Sequence, residues 1–113
     1  MSPEEFADEI ISAIKELEFV DGHSFVIEKS VLKGRIFLSD DKFMQVYVNT
    51  LTNSKSFTLI HSDQRIWGID FDNLIGWHLH PLENPDLHLP IKEKNIVEIV
   101  QNLIDIWNII HPK

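Results

Sequence analysis

Three histidines, two carboxylates and three prolines fall within residues 76–90, a stretch whose composition a packed core does not call for. It begins Gly76-Trp77-His78-Leu79-His80-Pro81. Side chains alternate across a β-strand, so with Trp77 and Leu79 turned inward, His78 and His80 share the opposite face, about 7 Å apart at their bases. Pro81 has no amide to donate and suits a strand end, which leaves Glu83, Asp86 and His88 on a loop able to fold back toward the two imidazoles. Two chemistries follow. One imidazole as base and the other as acid is what cleavage of RNA through its own 2′-hydroxyl needs. His78 and His80 with a carboxylate, Glu83, would instead form a first-row metal set that makes a bound water nucleophilic. A third reading involves no reaction, because outward histidines beside a proline-rich loop also make a solvated edge or an interface.

Other polar residues read more plainly. Asp70, Asp72 and Asn73 stand at a strand exit, where Asp and Asn are turn formers before they are cation ligands. Arg65 shares strand parity with Trp67, Ile69 and Phe71 and is expected to snorkel from the core side. His61 falls with Phe57 and Leu59 as a half-buried ring, and His23 and His111 sit near element ends.

The elements that must hold the histidines are marked by periodicity. Ser2, Pro3 and Glu5 form a helix start with capping-box spacing, and Phe6, Ile10, Ile14 and Leu17 recur at helical intervals. Near Asp21-Gly22 the period changes to two, predicting strands at 24–28, 31–38, 42–50, 56–61, 65–71 and 75–80. The breaks between them are too short for crossover helices, so neighbours should pair antiparallel. Lys29-Ser30 reads either as a turn or as a bend within one long strand. A second helix is predicted over 92–110, with Ile96, Ile99, Val100, Leu103, Ile106, Trp107 and Ile110 as its stripe. Val97, Ile104 and Ile109 widen that surface, so either both helices pack side by side or this one also meets a partner, a homodimer being one expectation. The expected fold is a single α+β domain over 1–113: helix, antiparallel meander of about five or six strands, helix, with the helices on one sheet face.

Composition narrows the function. Without cysteine there is no disulfide, thiolate metal site or thiol nucleophile. Ten Lys and Arg against 18 Asp and Glu give a formal net charge of −8, which opposes general affinity for duplex nucleic acid. Lys29, Lys33 and Arg35 are a local exception and read first as a solvated strand face. No apolar run approaches membrane-spanning length, and the acidic start is unlike a secretory signal, so a cytoplasmic protein without membrane contact is expected.

Two metal-site patterns fit poorly. JAMM metalloproteases follow their HxHP element with a serine and an aspartate, where this chain has Leu89 and Lys92; the upstream glycine spacing is wrong for a cupin. From about Val31 onward the chain resembles the small TumE-like proteins, toxin components of prokaryotic toxin–antitoxin pairs. The likeness lies in residues 32–38, Phe43-Met44-Gln45-Val46-Tyr47-Val48-Asn49, Ser56-Phe57-Thr58-Leu59-Ile60, Arg65-Ile66-Trp67-Gly68 and Trp77-His78-Leu79-His80-Pro81 with His88. The histidine spacing departs from the doubled histidines of many such sequences. The resemblance implies an antitoxin partner and a ribonuclease acting on RNA, with His78, His80 and His88 matching the histidine cluster. On that reading His78 and His80 are acid and base, His88 or Arg35 steadies the phosphate, and Trp77 is a further substrate contact; no cofactor is specified. A rival reading is a non-catalytic module whose Trp77, outer sheet face and C-terminal helix bind a second copy or another protein. A metal-dependent hydrolase is the third.

Overall fold

The computed structural model describes residues 1–112. Helix α1 (Pro3–Ile14) starts as its capping box dictates: Ser2 Oγ accepts the Glu5 N–H, and the Glu5 carboxylate accepts the Ser2 N–H. Seven strands follow: β1 (Val20–Glu28), β2 (Val31–Leu38), β3 (Lys42–Asn49), β4 (Ser54–His61), β5 (Gln64–Asp72), β6 (Gly76–His80) and β7 (Leu89–Pro90). They lie side by side in chain order as one antiparallel meander. Helix α2 (Ile96–Ile110) closes the chain. The architecture is the expected α+β one, and the short β7 lengthens the sheet.

Tight turns fix the strand pairing. Ser62 and Asp63, between the paired His61 and Gln64, have φ 51° and 62°, a left-handed pair whose twist suits a two-residue hairpin, and the three-residue turn from Leu38 to Lys42 carries Asp40 and Asp41, both at φ 58°. Glu28 pairs with Val31, so Lys29-Ser30 is a hairpin turn rather than a bend in one strand. Helix α2 begins later than residue 92 because Asn95 caps it: Asn95 Oδ1 accepts the Glu98 N–H at 2.8 Å, and Glu98 returns a bond to the Asn95 N–H at 3.0 Å. Asn95→Ala should therefore cost about 1 kcal/mol in a denaturant titration, and an unchanged midpoint would count against the cap.

One sheet face carries Leu32, Ile36, Met44, Val46, Val48, Phe57, Leu59, Trp67 and Ile69, all buried. Ala7, Ile10 and Ile14 of α1 and Ile96, Ile99, Val100, Leu103 and Trp107 of α2 cover it. Each fully buried aliphatic side chain contributes roughly 1.5–3 kcal/mol of transfer free energy. Ile104, Ile106 and Ile110 pack against the same core, leaving Val97 and Ile109 as the exposed aliphatics of α2. Most of its broad stripe is thus used within the chain. Among the described residues no helix is long and apolar enough to cross a membrane.

Cross-strand register orders the opposite face into rows. Arg35, Gln45, Thr58, Gly68 and His80 are successive partners, as are Lys33, Tyr47, Ser56, Asp70 and His78. The register breaks once in β4–β5: Leu59 pairs with Trp67 but Ile60 with Arg65, so Ile66 is unopposed. A bulge of this kind shifts every side chain before it to the other face.

Candidate functional site

The β5–β6 hairpin assembles the site. Its turn is held by Asp72 Oδ1, which accepts the Leu74 and Ile75 N–H groups at 2.9 and 2.7 Å. The Ile75 N–H, helped by that of Leu74, keeps the Asp72 carboxyl below the ordinary carboxylate range. Gly76 takes φ +82°, a left-handed conformation that suits glycine at the entry to β6. From the pair Asp72–Gly76, antiparallel counting places Asp70 beside His78 and Gly68 beside His80. Asp72 is the turn former expected of it, and Asn73 ties the turn to the Thr52 carbonyl. Asp70 is neither: its carboxylate faces the histidines.

His78 and His80 share the face away from the helices, with ring centroids 5.2 Å apart. Both are 2 % exposed, because the segment from Pro81 to His88 folds over them instead of leaving a solvated edge. Two turns, Asn84 N–H to Pro81 O and Leu87 N–H to Asn84 O, bend that segment back, and pairing of β7 with β6 anchors its far end. His88, just before β7, brings its ring to 5.2 Å from His78 and 4.6 Å from His80 while remaining exposed. Ligand nitrogens of the three histidines lie within 4.8 Å of one another.

Hydrogen bonds orient the buried rings alike. His78 Nδ1 is 2.9 Å from the Gly76 carbonyl, and His80 Nδ1 is 2.9 Å from the Pro85 carbonyl. A carbonyl oxygen only accepts, so each Nδ1 carries the hydrogen. Asp70 Oδ2 lies 3.0 Å from His80 Nε2, within hydrogen-bond geometry, and 3.5 Å from His78 Nε2. Asp70 Oδ1 is shielded from solvent without a hydrogen-bond partner.

Arg65 completes the surroundings. The bulge at Ile66 reverses its parity, so it lies on the histidine face rather than snorkelling from the core side. Its Nη1 lies 2.9 Å from His80 Nδ1 and 3.3 Å from Nε2. The two lone-pair directions diverge, so an atom nearly equidistant from both nitrogens lies along neither. The guanidinium therefore sits against the imidazole and reaches out to solvent. Beside it an open groove of about 870 Å³ is lined by Lys42, His61, Arg65, Leu82, Pro85 and Asp86 among others.

The other expected site residues lie elsewhere. Glu83 is exposed on the loop, and the carboxylate at the two rings is that of Asp70. Trp77 is on the helix-facing side, 5.4 Å from the Phe71 ring. There, with Phe6 and Phe71, it surrounds the Lys55 ammonium, whose pKa burial pushes down against the opposing pull of Glu93. Arg35 is on the histidine face but on β2, four strands from β6, stacked 4.3 Å over Phe43. His111 caps α2, stacks on Trp107 and meets Asp40 at 2.8 Å; His23 tilts against Phe25. Asp70, which reads as a turn former, and Arg65, whose strand parity the bulge reverses, are the site residues that the sequence concealed. Set against protein-family models, curated proteins and solved structures, the chain matches none of them, so its chemistry is to be judged from this cluster of Asp70, His78, His80, His88 and Arg65.

Proposed function

We propose that this chain is a phosphodiesterase acting on RNA, with Asp70, His78, His80 and His88 as its reaction centre and Arg65 as the cation at its mouth. The observation that carries the reading is the convergence of three imidazoles and one carboxylate, of which a single imidazole, His88, is exposed. Phosphodiester cleavage needs a proton removed from the attacking oxygen, a proton delivered to the departing one, and positive charge near the phosphate. His88 is placed to exchange protons with a substrate in solvent, and Arg65 offers a planar pair of donors suited to a phosphate. Arg65 takes the phosphate role for which Arg35 is too distant. In a cell, an RNA-cleaving activity of this kind fits the toxin setting implied by the resemblance, with an antitoxin protein as its restraining partner.

Incubation of the purified protein with a labelled single-stranded RNA, in parallel with DNA of the same sequence, tests the reading. RNA should be cut, and His88→Ala should cut it about 10²-fold more slowly, the lower end of what a positioned acid or base contributes. Intact RNA after prolonged incubation with wild-type protein and divalent metal would remove the proposal.

A further inference from the structure

We infer that Nε2 of His78, Nε2 of His80 and Oδ2 of Asp70 form a binding site for one divalent first-row metal ion. With Nδ1 of each buried ring donating to a carbonyl, a neutral imidazole presents a lone pair at Nε2. Both Nε2 atoms lie close to the same carboxylate oxygen, at 3.5 and 3.0 Å. Two imidazole nitrogens and a carboxylate oxygen brought this close form a donor set that one shared cation can hold together. A single cation satisfies all three donors.

The spacing suits an ion. With metal–ligand bonds of about 2.1 Å, neighbouring donors are separated by roughly 3.0 Å in octahedral and 3.4 Å in tetrahedral coordination. The Nδ1–H bonds to backbone carbonyls are the outer-shell contacts that fix ring orientation and tautomer in metal-binding histidines. Solvent-shielded Asp70 Oδ1, with no partner, is available for a second bond to the same ion. Two nitrogens and a carboxylate leave coordination positions open and favour ions of the Mn²⁺ to Zn²⁺ series over Mg²⁺ or Ca²⁺. His88 stands on the open side. As the exposed ring of the three, it is assigned to proton transfer rather than to holding the ion.

Ion binding stands independently of the RNA reading, whereas its catalytic role rests on that reading. There the ion would supply an activated water whose oxygen forms the new P–O bond as one bridging P–O bond breaks, with His88 taking the water proton and solvent water protonating the departing oxygen. The product is a phosphate monoester formed without a 2′,3′-cyclic intermediate.

The test is calorimetric titration of chelator-treated, folded protein with Zn²⁺ and Mn²⁺, using Mg²⁺ as the control. One ion per chain should bind. His78→Gln and Asp70→Asn should each weaken binding by at least about 100-fold, the upper end of what loss of an outer-shell partner causes. His88→Gln should stay within a few-fold of wild type. Absence of saturable binding to wild-type protein, or equal binding by the Asp70→Asn variant, would overturn the site. RNA cleavage that persists without bound ion and yields a cyclic phosphate would overturn the metal while leaving the phosphodiesterase. Tight binding with intact RNA would retain the metal and remove the phosphodiesterase.

Discussion

Asp70→Ala should reduce single-turnover RNA cleavage by about 10³-fold or more, a larger loss than at His88, while the chain remains folded. Among the described residues Asp70 is the one carboxylate that contacts both buried rings, so its removal takes away the proposed metal ligand and the shared anion that unites His78 with His80. Removing His88 takes one proton carrier from a centre that otherwise stays assembled. The expected order of damage, Asp70 above His88, follows from that difference. Asp70→Asn sharpens the measurement because its shape is nearly conserved: if cleavage still falls by more than about 10²-fold, the charge and not the packing is responsible. A thermal melt of each variant separates lost chemistry from lost structure. Cleavage at the wild-type rate by folded Asp70→Ala would show that the carboxylate has no part in the reaction.

Asp70 also shows how far the chain can be read without coordinates. Alternation within one strand was enough to put His78 and His80 on one face, because Trp77 and Leu79 have to enter the core. Loop composition was enough to suggest that His88 returns toward them. Asp70 looked like a turn former because Asp70, Asp72 and Asn73 crowd one strand exit, and the second and third of them do form the turn. The missing quantity was register. Once Asp72 pairs with Gly76, antiparallel counting places Asp70 opposite His78, so the signal was present in the length of the turn. Arg65 was hidden differently, since a single unopposed residue, Ile66, reverses the parity of everything before it and no local pattern announces that bulge. The burial of the histidines likewise depends on the loop's hydrogen bonds, which composition does not encode. Charge adds a related lesson: a net −8 describes the whole surface, while Arg65 and Lys42 line the groove beside the site.

Gly34→Ala should do the reverse of Asp70→Ala, damaging the fold and sparing the chemistry. Gly34 pairs with Phe25 on one side and Val46 on the other, with no unusual backbone angle. What it provides is space. A Cβ there would lie 2.1 Å from the Ser24 carbonyl oxygen and 2.8 Å from the Phe25 Cα, both backbone atoms, and 2.6 Å from Phe25 Cδ1. Rotating the Phe25 ring would relieve only the last contact, so β1 has to move off β2. Strain of that kind is worth about 3 kcal/mol, which lowers the melting temperature of a domain this size by about 10 °C. The distorted pair is at the sheet edge farthest from β6 and β7, and strands β3, β4 and β5 stand between it and the histidines. Cleavage measured well below the melting temperature should therefore stay within about twofold of wild type, since distant, unconnected sites contribute independently. An unchanged melting temperature would mean that β1 is more loosely applied than the Ser24–Gly34 approach implies. A large loss of cleavage in the folded variant would instead mean that the outer rows running from Lys33 and Arg35 to His78 and His80 act as one surface.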